Sequence, residues 1–366
     1  MPKLSVIIPN YNHARYLVQR IESVLGQTYQ NMEVIILDDS STDNSKEIIE
    51  QYRHHPKVSK IIYNEKNSGS TFYQWNKGVA EAAGEYIWIA ESDDIARSKE
   101  LVATLVNCLD KNENLGIAYS QSVNIDQEGN ELGDLLNYTY QFNPNIWAGD
   151  FQMSGNEFIN KYLFFQNVIP NASAVIFRKS FFIQSGMADT SLRLFGDWLV
   201  WLKMSNISEV IFVAKPYNSF RTHSNNVRSS TNRKQGIKES ILMMQSLQKS
   251  MNPLPPSFDV ALSDFMEKFM VEVVNTNDLK FHHEVYQIVE KIVGDKKKTK
   301  ILLYQQMMKE NYIDACLVQL QSKNWYVGAK RLMMTGIITK NLWYYLKSII
   351  YWTLKRKNFR PLSPNL

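Results

Sequence analysis

The run Tyr86-Ile87-Trp88-Ile89-Ala90-Glu91-Ser92-Asp93-Asp94 passes from wholly apolar residues into three carboxylates. Its aromatic and β-branched members read as a buried strand. In an open parallel sheet, ligands bind just beyond the carboxyl ends of the strands. Crowded carboxylates repel one another and share protons unless a cation neutralises them. A hard, oxygen-seeking divalent ion such as Mg2+ or Mn2+ is the natural partner, so the segment is a candidate metal and phosphate site. The same residues also suit a plainer purpose, with Ser92 or Asp93 capping a following helix. On this segment alone both readings stand.

The elements that must position these acids are legible upstream. Leu4 to Ile8 reads as a first strand, stopped by Pro9-Asn10-Tyr11-Asn12 because proline cannot donate to a sheet ladder. Ala14 to Leu25 places Leu17, Ile21, Val24 and Leu25 on one helical face, and Gly26 closes it. Glu33 to Asp39 is a second strand that also ends in carboxylates, and Ser40-Ser41-Thr42-Asp43 offers a cap to a helix over Ser45 to Tyr52. Lys60 to Tyr63 is a third strand, followed by a polar loop to Ser70 and a helix from Thr71 to Ala83. This alternation predicts an α/β fold, a mainly parallel sheet with flanking helices. Right-handed crossovers bring the strand ends to one edge, where Asn10, Tyr11, Asp38, Asp39, Asp93 and Asp94 converge.

That edge is not an ordinary dinucleotide or P-loop site, since no GxGxxG follows the first strand and no GxxxxGK[ST] occurs. Tyr11 instead offers an aromatic face on which a base can stack. A carboxylate at Asp39 suits the imide N–H of uracil or thymine. Tyr11 could equally be a loop aromatic covering the sheet edge. One of Asp38 and Asp39 is expected to make a turn with Ser41 while the other faces the ligand.

A chain of 366 residues, 44% apolar and 21% charged, suits one large domain with an appendage, or two domains. A net charge of +5 argues against a nucleic-acid partner, which calls for a dense basic stripe. Cys108 and Cys316 form neither a disulfide framework nor a CxxC, which fits a reducing compartment. Met1 to Ser5 runs into a strand without a signal-peptide core, and no stretch of ~18 uninterrupted apolar residues occurs. The expectation is a cytoplasmic protein.

Several segments closely resemble the family 2 glycosyltransferases: Val6 to Asn12, Ser23 to Tyr29, Glu33 to Asp43, Asn76-Lys77-Gly78 through Ile87, and Ser92-Asp93-Asp94. The similarity covers roughly the first 230 residues. It implies a GT-A fold with a nucleotide-sugar half and an acceptor half. It implies that Pro9, Tyr11 and Asp39 hold the base and ribose, and that Asn76 and Lys77 lie on a helix facing the nucleotide. Asp93 and Asp94 match the DxD-type motif that touches the ribose and binds the metal bridging the diphosphate. Glu91 stands where the motif's first aspartate usually is. Asp197 in Gly196-Asp197-Trp198 matches the family's catalytic base, although Gly196 replaces a glutamate common in relatives. An inverting transfer needs such a carboxylate to take the acceptor's proton, and a helix N-terminus keeps it ionised. Arg221-Thr222-His223 resembles the RxH element near the diphosphate, with His223 completing the metal shell. The QxxRW of processive members is missing, which implies single additions.

The resemblance therefore implies an inverting enzyme that uses Mg2+ or Mn2+ and a UDP- or dTDP-sugar. Its acceptor would be a saccharide, lipid-linked by analogy, in bacterial surface polysaccharide synthesis. Its expected organisation is a glycosyltransferase domain over 1–232, divided near residue 110, and a helical region over 233–366. Amphipathic helices are expected over Ile237 to Ser250, Asp259 to Val274 and His283 to Val293. In the tail, Leu342, Leu346, Ile349, Ile350 and Leu354 recur at helical spacing among Trp343, Tyr344, Tyr345, Tyr351 and Trp352, with Lys355, Arg356 and Lys357 beyond. That composition suits a helix in the membrane interface, at the inner face of the cell membrane, or a core helix of the appendage. Two other functions compete. A catalytically silent module would bind the nucleotide sugar without turnover. A sugar-1-phosphate nucleotidyltransferase would need a glycine- and lysine-rich loop after the first strand, and Pro9-Asn10-Tyr11-Asn12 is not one.

Overall fold

The computed structural model describes residues 1–139, 145–223, 233–276, 279–295 and 299. It divides into one unit of Met1–Thr231 with Ser250–Ser257, and another of Asn232–Lys249 with Phe258–Leu366.

The first unit opens with β1 (Leu4–Asn10), α1 (Ala14–Leu25), β2 (Met32–Asp38), α2 (Ser45–Glu50), β3 (Val58–Tyr63), α3 (Thr71–Glu81) and β4 (Tyr86–Ile89). It continues through β5 (Ile95–Ala96), α4 (Leu101–Lys111), β6 (Leu115–Ile125), β7 (Glu131–Asp134), α5 (Leu136–Thr139) and β8 (Phe151–Ser154). It closes with α6 (Gly155–Phe158), β9 (Val175–Arg178), α7 (Lys179–Gln184), α8 (Gly196–Ser205) and β10 (Glu209–Arg221). The strands form one sheet in the order β3-β2-β1-β4-β9-β6-β10-β5, with β7 on β6 and β8 on β10.

The parallel arrangement expected from the sequence holds for β3, β2, β1 and β4. Beyond them the sheet is mixed. β9 lies antiparallel between β4 and β6, and β10 runs parallel to β6 but antiparallel to β5 and β8. The polar and aromatic stretch around residues 130 to 160 contributes β7 and β8 to this sheet.

β1 also runs two residues further than proline chemistry suggested. Lys3 and Ile7 turn their carbonyls to the β4 side, accepting from Tyr86 and Ala90, whereas Asn10 accepts from Asp39 on the β2 side. Pro9 shares the parity of Ile7 and so faces β4, whose pairing ends at Ile89. Its missing N–H therefore faces a place with no ladder to join.

Val6, Ile8, Val34 and Ile36 pack from the sheet against Leu17, Ile21 and Val24 of α1 and Leu101, Val102 and Leu105 of α4. Each such side chain contributes about 1.5–3 kcal/mol when fully buried. At the end of the sheet away from the acids, Glu33 ties the strands together. Its carboxylate accepts from Ser5 and Ser59 hydroxyls, both at 2.6 Å, and from Ala83 N–H at 2.8 Å. Ser5 Oγ in turn accepts from Gly84 N–H. A Cβ on Gly84 would lie 2.6 Å from the backbone nitrogen of Ser5, so only glycine lets the chain cross β1 this closely.

The second unit contains α9 (Arg233–Ser250), α10 (Phe258–Thr276) and α11 (Leu279–Val293), each longer than its amphipathic run. Met243, Met244, Leu247, Met266, Phe269, Val285 and Val289 are buried. Phe269 meets Phe281 with ring centroids 5.7 Å apart, and Lys238 pairs with Glu284 at 2.9 Å. No helix among the described residues is long and apolar enough to cross a membrane. The amphipathic run over Leu342 to Leu354 lies outside the described residues.

Candidate active site

A cleft of about 710 Å³ opens over the carboxyl ends of β1, β2 and β4. Pro9, Tyr11, His13, Asp39, Trp75, Glu91, Asp93, Asp94, Asp197 and His223 are among the residues that line it. Asn76, Lys77 and Arg221 are not.

The turns after β1 and β2 are latched to each other. Asn12, at φ +55°, donates its N–H to Ser41 Oγ, and its side-chain oxygen accepts from Thr42 N–H. Asp38 takes the turn role, accepting from Ser41 N–H at 2.9 Å and Ser41 Oγ at 2.6 Å. Asp39 lines the cleft, buried, with its carboxylate accepting from Asn64 Nδ2, Ser68 N–H and Ser68 Oγ. Lys77 donates to the oxygen of that same Asn64, so it reaches Asp39 only through a relay. Asn76 is occupied elsewhere, bridging both backbone groups of Ala188. Tyr11 stays 45% exposed beside Pro9, its ring open to stacking.

The acids after β4 differ in environment. Glu91 accepts from the indole N–H of Trp75 at 2.7 Å, and burial together with the charge of Asp93 pushes its pKa up to about 8. Burial and the neighbouring Asp93 push Asp94 up to about 6. Burial would also raise Asp93, but the His223 hydrogen bond and the fields of His13 and His223 outweigh it and hold Asp93 below the usual range. Asp93 is thus the most acidic of the three.

Asp94 is tied to the frame, accepting Arg221 N–H at 2.9 Å with Arg20 Nη2 3.9 Å away. Arg221 is fully buried. Its guanidinium donates to the carbonyls of Asp93, Asp126 and Gln127 and to Gln19 Oε1, and it lies 4.7 Å from the Tyr16 ring. Outside the cleft lining, it clasps the acidic turn.

His223 does meet Asp93, with Nε2 3.0 Å from Oδ2. A third residue, overlooked in the sequence, joins them. Among the described residues, His13, Asp93 and His223 each offer a ligand atom within 4.8 Å of the others. Two imidazoles and a carboxylate are a donor set that fits a divalent cation. Asp94, expected as a ligand, is not in this group.

Asp197 sits in the first turn of α8 and lines the same cleft. Its oxygens accept from Trp198 N–H at 2.7 Å and Asn167 Nδ2 at 3.1 Å. Gly196 has a steric reason: a Cβ there would lie 2.3 Å from the Phe72 ring.

Residues 5–185 match the family model described as glycosyl transferase family 2. The chain carries a family 2 glycosyltransferase domain. Glycosyltransferase GlyG of Streptococcus pneumoniae is 42% identical over 102 residues, 28% of this chain and 33% of the relative. The chondroitin synthase of Escherichia coli is 37% identical over 142 residues, 38% of this chain and 20% of the relative. The chain thus spans a third or less of the length of these two relatives. S. aureus TarS 1-349, solved in complex with UDP-GlcNAc, superposes with a TM-score of 0.63 at 17% identity, covering 92% of this chain and 91% of that one. That likeness shows the fold, and the glycosyltransferase domain is of the GT-A type.

Proposed function

We propose that this chain is an inverting, metal-dependent glycosyltransferase. It moves a sugar from a UDP- or dTDP-sugar to a hydroxyl of a saccharide acceptor, one addition at a time, in bacterial surface polysaccharide synthesis. One observation carries the reading: Asp197 and the Asp93–His223 pair, from distant parts of the chain, line a single cleft. The bacterial relatives, one a chondroitin synthase, and the UDP-GlcNAc bound by TarS support the donor and setting.

Tyr11 and Pro9 receive the base, and Asp39, with the loop it anchors, bounds the nucleotide. Asp93, His223 and His13 would hold the metal, which supplies positive charge to the departing diphosphate. Asp197 accepts the proton of the acceptor hydroxyl as its oxygen bonds to the anomeric carbon. The bond to the diphosphate oxygen breaks with its electron pair leaving on phosphate. The Asn167 and Trp198 hydrogen bonds orient Asp197.

The acceptor is proposed to be lipid-linked, reached from the inner face of the membrane through the Leu342 to Leu354 segment. Nucleotide release from a donor panel with and without Mn2+, in parent and Asp197→Asn, tests the chemistry. The variant should lose roughly 10²–10⁴-fold in kcat while binding UDP as the parent does. Transfer at the parental rate removes Asp197 as base.

A further inference from the structure

His13 occupies the N-cap position of α1, yet its side chain makes no capping hydrogen bond. Asp43 does that work from the next loop, accepting Ala14 N–H at 2.9 Å through one oxygen and Ser45 N–H at 3.0 Å through the other. The imidazole of His13 is thereby released from its own helix. It turns to the acidic segment after β4, with Nδ1 2.8 Å from Ser92 Oγ. Its ring stands nearly perpendicular (89°) to that of His223, with centroids 5.7 Å apart.

Resting on the metal-dependent reading above, we propose that His13 is a protein ligand of the metal, alongside Asp93 and His223. With it the site becomes selective for a first-row transition ion such as Mn2+ over Mg2+. The argument is one of donor chemistry. Mg2+ prefers oxygen ligands and gives up its water reluctantly, so a site built from a carboxylate and phosphate oxygens serves it well. Imidazole nitrogen suits first-row transition ions far better. A site with one imidazole is a compromise between the two classes. A second imidazole makes nitrogen the majority among the three protein donors. Ser92 has a supporting part, since a hydroxyl on the far side of a ligating imidazole fixes the ring's orientation.

The hydroxyl and both histidines come from separate segments: the turn after β1, the turn after β4 and the end of β10. The donor set therefore assembles only in the folded first unit. The first N–H of α1 does not depend on the His13 side chain, because Asp43 already satisfies it.

The test reads metal binding directly, without turnover. Mn2+ is titrated into the full chain and the free ion is followed by electron paramagnetic resonance, with Mg2+ as competitor. Parent protein should bind Mn2+ at least about tenfold more tightly than Mg2+. His13→Gln should weaken Mn2+ by about tenfold or more and change Mg2+ by much less. His13→Asp should keep a metal but move the preference toward Mg2+, a reversal that a purely structural role for His13 does not produce. Mn2+ affinity within about twofold of parent in His13→Gln, or an unchanged Mn2+/Mg2+ ratio in His13→Asp, overturns the proposal. Asp93→Asn and His223→Gln separate the two levels of the argument. If they lose Mn2+ while His13→Gln keeps it, only the His13 assignment fails. If the parent binds no Mn2+, the metal-dependent reading fails and takes this one with it.

Discussion

The backbone N–H of Arg221 donates to Asp94 Oδ1 at 2.9 Å, joining the last residue of β10 to the turn after β4. The same residue's Nε–H holds the carbonyl of Asp93 at 2.7 Å. One buried arginine thus fixes both the position of the acidic turn and the direction in which Asp93 points.

Arg221→Lys keeps the charge but loses the planar fork that reaches four acceptors. A lysine ammonium cannot reach the carbonyls of Asp93, Asp126 and Gln127 and the Gln19 side chain together, and each hydrogen bond from a charged donor contributes about 1.5–3 kcal/mol. The expected loss is on the order of 3 kcal/mol in urea unfolding, accompanied by weaker Mn2+ binding. A variant as stable as the parent would show that the clasp contributes little.

Gly196→Ala places a methyl where the Phe72 ring already lies. Overpacking of this kind costs about 1–3 kcal/mol, and it would displace the first turn of α8 that carries Asp197. Turnover should fall with it. Phe72→Leu, added to Gly196→Ala, should recover much of both losses; a simple sum of the two single effects would mean that the contact is not the cause.

Glu33 gives a pH dependence. Burial alone would raise its pKa, but the Ser5 and Ser59 hydroxyls and the Ala83 N–H outweigh it, and the net value lies below the ordinary 4.5. A depressed folded pKa means that its stabilisation is present above the unfolded value and is lost as pH falls through the folded one. Glu33→Gln should therefore be less stable than the parent at pH 7, by urea denaturation. The gap between the two proteins should close as the pH drops below 4.5. A gap that stays constant into acid would assign the effect to shape instead of charge.

The tail is tested by flotation with anionic vesicles. The full chain should rise with the lipid, and a chain ending at residue 335 should remain below. Equal flotation of both would locate any membrane contact elsewhere.

The strand ends and the acids they carry were legible because buried runs and the carboxylates that terminate them are adjacent in sequence. The division of labour within each acidic pair was not. Asp38 makes the turn and Asp39 lines the cleft because of Ser41 and Ser68, whose reach depends on loop geometry that spacing does not encode. Asp94 looks like Asp93 in sequence, and what separates them is Arg221 and Arg20 beside one and His223 beside the other. The resemblance puts Asn76 and Lys77 on a helix facing the nucleotide, yet their side chains go to Ala188 and Asn64. His13 lay in plain view two residues after Tyr11. Its partner His223 comes so late in the chain that no local pattern could join them. The one available signal was a histidine at a helix start where Ser, Thr, Asp or Asn would cap better.

β9 has an effect on how substrates can be accommodated. By inserting between β4 and β6 it stitches the parallel strands β3, β2, β1 and β4 to β6 and β10 in one continuous hydrogen-bonded floor. The two sets of strands are therefore joined by backbone hydrogen bonds as well as by the loops that connect them. The acidic turn after β4 and the end of β10 next to His223 thus stand on one continuous sheet. On the function proposed above, a larger acceptor would have to find its room in the loops standing on that floor.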